Sequence, residues 1–167
     1  MIQYYTRFFS VAIILLLLQM WVFDHVNLFG YSNPYLYLLL LITYRLDLNQ
    51  FTFIFIGFII GFILDLLTHT AGAHAIACVS IAFLRPLIAR FALGVNFDQP
   101  NAIYSGTLWT NRILYLFLMI FIHQLIFSFV AYFSISHLWK ITQLTLVNSL
   151  FTFVLVAATI NLLERKK

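Results

Sequence analysis

Asp65, His69 and His74 are the residues of this chain whose types and spacing best suit chemistry. Thr68 and His69 follow Asp65 at three and four residues, so all three side chains can share one helix face. Gly72 opens the next apolar run, with His74 just inside it. Two outcomes are open for this group. It can form a polar site beneath a membrane surface, or Asp65 can accept hydrogen bonds from the unpaired amides that begin the next helix. The second needs only local geometry and is the expectation. Zinc accepts imidazole and carboxylate ligands. The spacing here matches no metal motif, however, and no cysteine lies near, so neither metal nor cofactor is expected.

Further polar residues fall inside apolar runs. His123, Gln124 and Ser128 form one group, and Thr142, Thr145, Asn148, Ser149, Thr152 and Thr159 form another that covers about a third of a helix circumference. Such groups either hydrogen-bond between helices or line a polar cavity that holds a lipid headgroup or a partner's side chain. The second alternative places that cavity between the third, fifth and sixth helices. Arg85, next to Pro86, and Arg90 read as interfacial anchors that reach lipid phosphates at one end of the fourth helix. Catalysis is not expected. An intramembrane aspartyl protease needs paired buried carboxylates, whereas Asp24, Asp47 and Asp98 lie in polar connections. Ser105 has no histidine near it in sequence to act as a base.

The elements that position these residues follow from composition. Of 167 residues, 63% are hydrophobic and 8% charged, against about a quarter charged in soluble domains. The whole chain, residues 1–167, therefore reads as one all-α integral membrane domain. Apolar runs predict six transmembrane helices at about 6–23, 34–44, 51–67, 72–91, 109–133 and 139–163. The second is about half a normal span. Charge tests it. With six crossings, Arg7, Arg45, Arg85, Arg90, Arg112, Arg165, Lys166 and Lys167 share one side and only Lys140 lies opposite. Bases in short loops stay cytoplasmic, so both termini are placed inside. Were residues 34–44 re-entrant, only Arg7 and Lys140 would remain inside. The first run reads as a retained signal anchor, since no small-x-small cleavage pattern follows it. Trp21, Tyr35, Tyr132 and Trp139 are expected in an outer aromatic belt, and Tyr4, Tyr5, Tyr44, Tyr104 and Trp109 in an inner one. The basic balance reflects topology and not nucleic acid. Cys78 is the single cysteine, so no internal disulfide can form.

Gly57, Gly61 and Asp65 recur every fourth residue, a spacing that lets two membrane helices approach closely. The stretch Gly57-Phe-Ile-Ile-Gly61-Phe-Ile-Leu-Asp65, followed by Gly72-Ala73-His74-Ala75, resembles the MreD family of rod-shape-determining membrane proteins. Size, span number and a short basic C-terminus agree with the resemblance. The chain departs from the family at Ala71 and Ala73, where bulkier apolar residues usually flank the glycine. The resemblance implies a fold like the six-helix substrate-binding subunit of energy-coupling-factor transporters. It also implies a non-enzymatic role in the bacterial inner membrane, organising lateral peptidoglycan synthesis. The implied partners are an MreC-like protein, membrane lipid and, indirectly, MreB, RodA and a class B penicillin-binding transpeptidase. A vitamin-type binding subunit of a transporter is the alternative, but residues 11–19 lack the Ala-x-x-x-Ala face such a subunit presents to its membrane partner. A lipid-binding or flipping role for the polar faces of the last two helices has no motif behind it.

Overall fold

The computed structural model describes residues 2–23, 33–45, 48–94, 108–133 and 138–164. Asp24, Asp47, Asp98, Tyr104, Ser105, the turn at 134–137 and the basic tail 165–167 lie outside the described residues. The elements are α1 (Ile2–Leu18), continued by a π-helical turn (Gln19–Phe23), α2 (Leu38–Thr43), α3 (Gln50–Thr68), α4 (Ala73–Leu93), α5 (Trp109–Tyr132) and α6 (Leu138–Glu164). Among the described residues there is no strand. α3 packs on α4, α4 on α5 and α5 on α6, while α1 lies beside α2.

The surface of the bundle is apolar, unlike that of a water-soluble fold, and several polar groups lie within its otherwise apolar core. Phe55, Phe58, Phe62 and Leu66 line the outside of α3, Phe83, Leu87 and Phe91 that of α4, and Leu146, Leu150 and Val154 that of α6. Gln19, Asp65, His74, Arg85, His123, Gln124, Thr145, Asn148, Ser149 and Thr152 are buried. Soluble monomers expose apolar patches of only a few hundred Å². Among the described residues, five helices are long and apolar enough to cross a membrane: Thr6–Phe23, Gln50–Thr68, Ala73–Leu93, Trp109–Tyr132 and Leu138–Leu162. The chain is built as a multi-pass membrane protein.

Residues 34–44 differ from the expected second helix. Only Leu38–Thr43 is α-helical, and Leu38, Leu39, Leu40, Leu41 and Ile42 are buried on every side. A helix apolar all round belongs in a core. It starts tightly, with amides of Leu38, Leu39 and Leu40 bonded to carbonyls three residues back. It stops where Tyr44 takes extended angles. The backbone on either side is buried yet non-helical, which is tolerated at membrane depth only where protein satisfies it. Gln19 does so on one side, donating to the Pro34 carbonyl (3.1 Å) and accepting from the Leu36 amide (2.8 Å). The Thr152 hydroxyl accepts from the Tyr35 amide at 3.0 Å. At the other end the Tyr4 hydroxyl accepts from the Arg45 amide at 3.1 Å. Gln19 and Tyr4 stand about 22 Å apart along a regular helix, so residues 34–45 descend most of the length of α1.

Two aromatic placements are corrected. Tyr35 and Tyr44 are buried in the core and not in membrane-interface belts. Tyr44 stacks on Phe53 with ring centres 4.8 Å apart, and Tyr35 packs edge-on to Phe127 at 5.1 Å. Both tyrosines flank α2, whose central position turns them inward. Trp21, Trp109, Tyr132 and Trp139 are exposed.

Candidate functional site

The α3–α4 hairpin absorbs most of the residues singled out by spacing. A Cβ on Gly61 would sit 2.5 Å from Ala75 Cα and 2.6 Å from the His74 carbonyl oxygen, so α4 lies directly on the glycine backbone. Gly57 is less tight, its Cβ falling 3.2 Å from the Cys78 carbonyl oxygen. That approach brings Asp65 against the start of α4. One carboxylate oxygen accepts from the His74 amide at 2.9 Å and from the Thr70 hydroxyl; the other accepts from the Ala75 amide at 2.8 Å. Asp65 therefore caps α4 from the neighbouring helix, the local alternative favoured by its position. His69 occupies the left-handed cap of α3 (φ 55°) and is exposed, away from the buried Asp65. Gly72 (φ 93°) caps α4 in a backbone conformation that suits glycine. The polar site of Asp65, His69 and His74 does not assemble. His74 lends Asp65 only its amide, and its ring turns into the bundle.

That ring meets residues from two other elements. The Tyr37 hydroxyl lies 2.8 Å from His74 Nδ1 and 3.0 Å from His123 Nε2, joining α4 to α5 through the segment before α2. Cys78 Sγ is 3.8 Å from His123 Nε2. Tyr35 and Phe127 close the cluster, with Phe127 4.4 Å from the His74 ring centre. His123 Nδ1 is buried without a partner. An unpaired acceptor is tolerated better than an unpaired donor. The cheaper arrangement therefore puts the proton of His123 on Nε2, donating to Tyr37, while Tyr37 donates to His74 Nδ1. The result is a directed chain, His123 to Tyr37 to His74.

A second group lies where α5 meets α6. Gln124 Nε2 reaches Thr152 Oγ1 at 3.5 Å, and the same hydroxyl holds the Tyr35 amide. Thr145, Asn148 and Ser149 extend this polar face along α6 and are buried, as is Ser128 on α5. Thr142 is exposed and returns its hydroxyl to the Leu138 carbonyl, so it leaves the seam. The alternative that placed a cavity between the third, fifth and sixth helices differs from the structure. The polar seam runs between α5 and α6 against residue 35, while α3 turns its glycines to α4 instead.

Arg85 is also corrected. It is 2% exposed and anchors nothing at the membrane surface. Its Nε donates to the Tyr115 hydroxyl at 2.9 Å, and its Nη2 bonds the carbonyls of Ile42 and Tyr44. The Phe53 ring centre lies 4.5 Å from the guanidinium carbon. The planar fork thus supplies the donors that the end of α2 lacks, with neutral partners throughout. Arg90 is exposed. Pro86 lies inside the helix, which continues to Leu93. Proline has no amide to give the carbonyl four residues back, and Gln50 Nε2 donates to that Ala82 carbonyl at 2.6 Å.

Spacing alone missed Tyr37, Gln19 and Gln50. Each serves a backbone or histidine atom far away in sequence, and no local spacing signals it. Among the described residues, no group of three or more His, Cys, Asp or Glu side chains is gathered as a metal site. Cys78 with His123 is the nearest approach to a nucleophile–base pair. Both side chains are wholly buried, and the ring nitrogen is already shared with Tyr37. Comparison with protein-family models, curated proteins and solved structures returned no match.

Proposed function

We propose that this chain is a non-enzymatic membrane scaffold of the MreD type, organising lateral peptidoglycan synthesis in a rod-shaped bacterium beside an MreC-like protein. The observation that carries this reading is the architectural use of its most recognisable residues. Gly57 and Gly61 seat α4, and both oxygens of Asp65 cap it. The backbone groups freed around α2 are met internally by Gln19, Thr152, Arg85 and Tyr4, so that broken segment presents no open set of ligands.

The reading includes six crossings, the fold of an energy-coupling-factor binding subunit, an inner-membrane location and both termini in the cytoplasm. Support for the second crossing comes from residues 34–45, which are held near Gln19 at their start and near Tyr4 at their end. With Arg85 withdrawn into the core, Arg7, Arg45, Arg90, Arg112 and the basic tail still favour one side. Indirect partners on this reading are MreB, RodA and a class B penicillin-binding transpeptidase. Depletion of the protein in its host tests it: cells should lose rod shape and swell into spheres. Retained shape with lost uptake of a small solute would instead favour a transporter binding subunit, the second reading, whose support is the buried polar seam between α5 and α6.

A further inference from the structure

Gln124 Oε1, Thr145 Oγ1, Asn148 Oδ1 and Ser149 Oγ are all buried without a hydrogen-bond partner. Each of these residues is more than nine-tenths buried, so neither lipid nor bulk water meets them at the surface. Thr145, Asn148 and Ser149 share one face of α6 at spacings of three and four, and Thr152, next on that face, meets Gln124. A short connection makes α5 and α6 antiparallel, and the contact of Gln124 with Thr152 sets their register. Asn148 and Ser149 then stand level with Ser128, and Thr145 follows one turn beyond. Elsewhere in the core, buried polar groups such as Asp65, Gln19 and Arg85 find protein partners. A contiguous unmet group is therefore a local feature of this interface and not general looseness of the fold.

The atoms define what they would accept. Amide oxygens of Gln124 and Asn148 only accept, and the hydroxyls of Thr145 and Ser149 donate or accept. The occupant must donate. It must also be uncharged, because a buried charge needs an opposite charge beside it and none of these residues carries one. An anion would face amide acceptors. We propose that the α5–α6 seam binds an uncharged small molecule rich in hydrogen-bond donors: an amide or polyol, with water as the smallest member of that class. The inference does not rest on the scaffold reading, since a scaffold and a transport subunit can each hold such a ligand.

The test compares near-isosteric variants of the full-length chain in detergent micelles. A hydroxyl that is bound is better kept as Thr145→Ser than removed as Thr145→Val. An unmet buried hydroxyl gives the opposite order, because an apolar replacement relieves it. The expected result is a melting temperature about 2–4 °C lower for Thr145→Val and for Ser149→Ala, with Thr145→Ser near the parent. Thr145→Val melting at or above Thr145→Ser overturns the proposal. Native mass spectrometry with nicotinamide, myo-inositol and ammonium as probes separates the sources. Nicotinamide or inositol retained by the parent and lost from Thr145→Val/Ser149→Ala assigns an organic solute. The same melting order with no probe retained assigns water. Preferential retention of ammonium, or equal retention of a probe by parent and double variant, overturns it.

Discussion

At the scale of single residues, Gly61 and Asp65 do different work and should fail differently. Gly61→Ala drives a methyl into the backbone of α4, where nothing flexible can give way. The expected loss is about 1–3 kcal/mol, by analogy with overpacked cores. Gly57→Ala meets a single carbonyl oxygen at 3.2 Å and should cost less. Thermal unfolding of both proteins in one detergent checks the order. Asp65→Ala removes a cap shared by two amides and a hydroxyl, and should lower stability by about 1–2 kcal/mol. Asp65→Asn keeps one acceptor oxygen and should fall between Asp65→Ala and the parent. Equal losses for Asn and Ala would deny the carboxylate its capping role. Ala71 carries a positive φ of 51° on an exposed turn. Glycine there relieves roughly 1–2 kcal/mol of backbone strain against a smaller entropic loss, so Ala71→Gly should stabilise slightly.

At the scale of elements, two irregular helices depend on distant side chains, and that dependence is measurable. Pro86 leaves the Ala82 carbonyl of α4 without its usual amide, and Gln50 at the start of α3 supplies the donor. Gln50→Leu should therefore destabilise the parent by about 1 kcal/mol but do little in a Pro86→Ala background, where the amide is restored. A double-mutant cycle without coupling would rule the arrangement out. α2 depends on Arg85 in the same manner. Arg85→Lys retains the charge and loses the fork that spans the Ile42 and Tyr44 carbonyls and the Tyr115 hydroxyl. Hydrogen exchange at residues 38–45 should then accelerate well before the long helices loosen. Uniform acceleration across the bundle would mean that Arg85 holds the whole fold and not α2 in particular.

For the whole molecule, the decisive quantity is the parity of crossings. Residues 34–45 descend alongside α1 as a segment only partly helical, yet one that changes sides on the six-crossing reading. Single cysteines placed at Arg7 and Arg45, in a chain with Cys78 replaced by alanine, should react with an impermeant thiol reagent from the same face of sealed vesicles. Labelling from opposite faces would remove the six-crossing arrangement and the common location of the termini. Cys78 itself is fully buried, so it should stay unlabelled in the parent until the bundle unfolds. An apolar exterior also predicts that the chain is stable only in lipid or detergent.

The long helices were legible because apolar runs of membrane-spanning length leave few alternatives, and α3 to α6 fall within two residues of their expected bounds. Gly57 and Gly61 were legible as a close-packing pair for a similar reason, since a spacing of four places small residues on one face whatever lies opposite. Asp65 as a cap followed from its nearness to the next helix start. The placements that failed depended on which surface a helix turns inward. Arg85 and Tyr44 carry the composition of interface residues, and only the short buried α2, with carbonyls in need of donors, draws them into the core. His74 and His123 are 49 residues apart in the chain (123 − 74), and no local pattern ties them to Tyr37. Local chemistry thus determined helix composition, turn conformation and the membrane as solvent, since each is decided within a few residues. Tertiary structure alone decided which polar atoms meet, because hydrogen-bond partners in a bundle are chosen by helix rotation and register, and these come from packing of all the helices together.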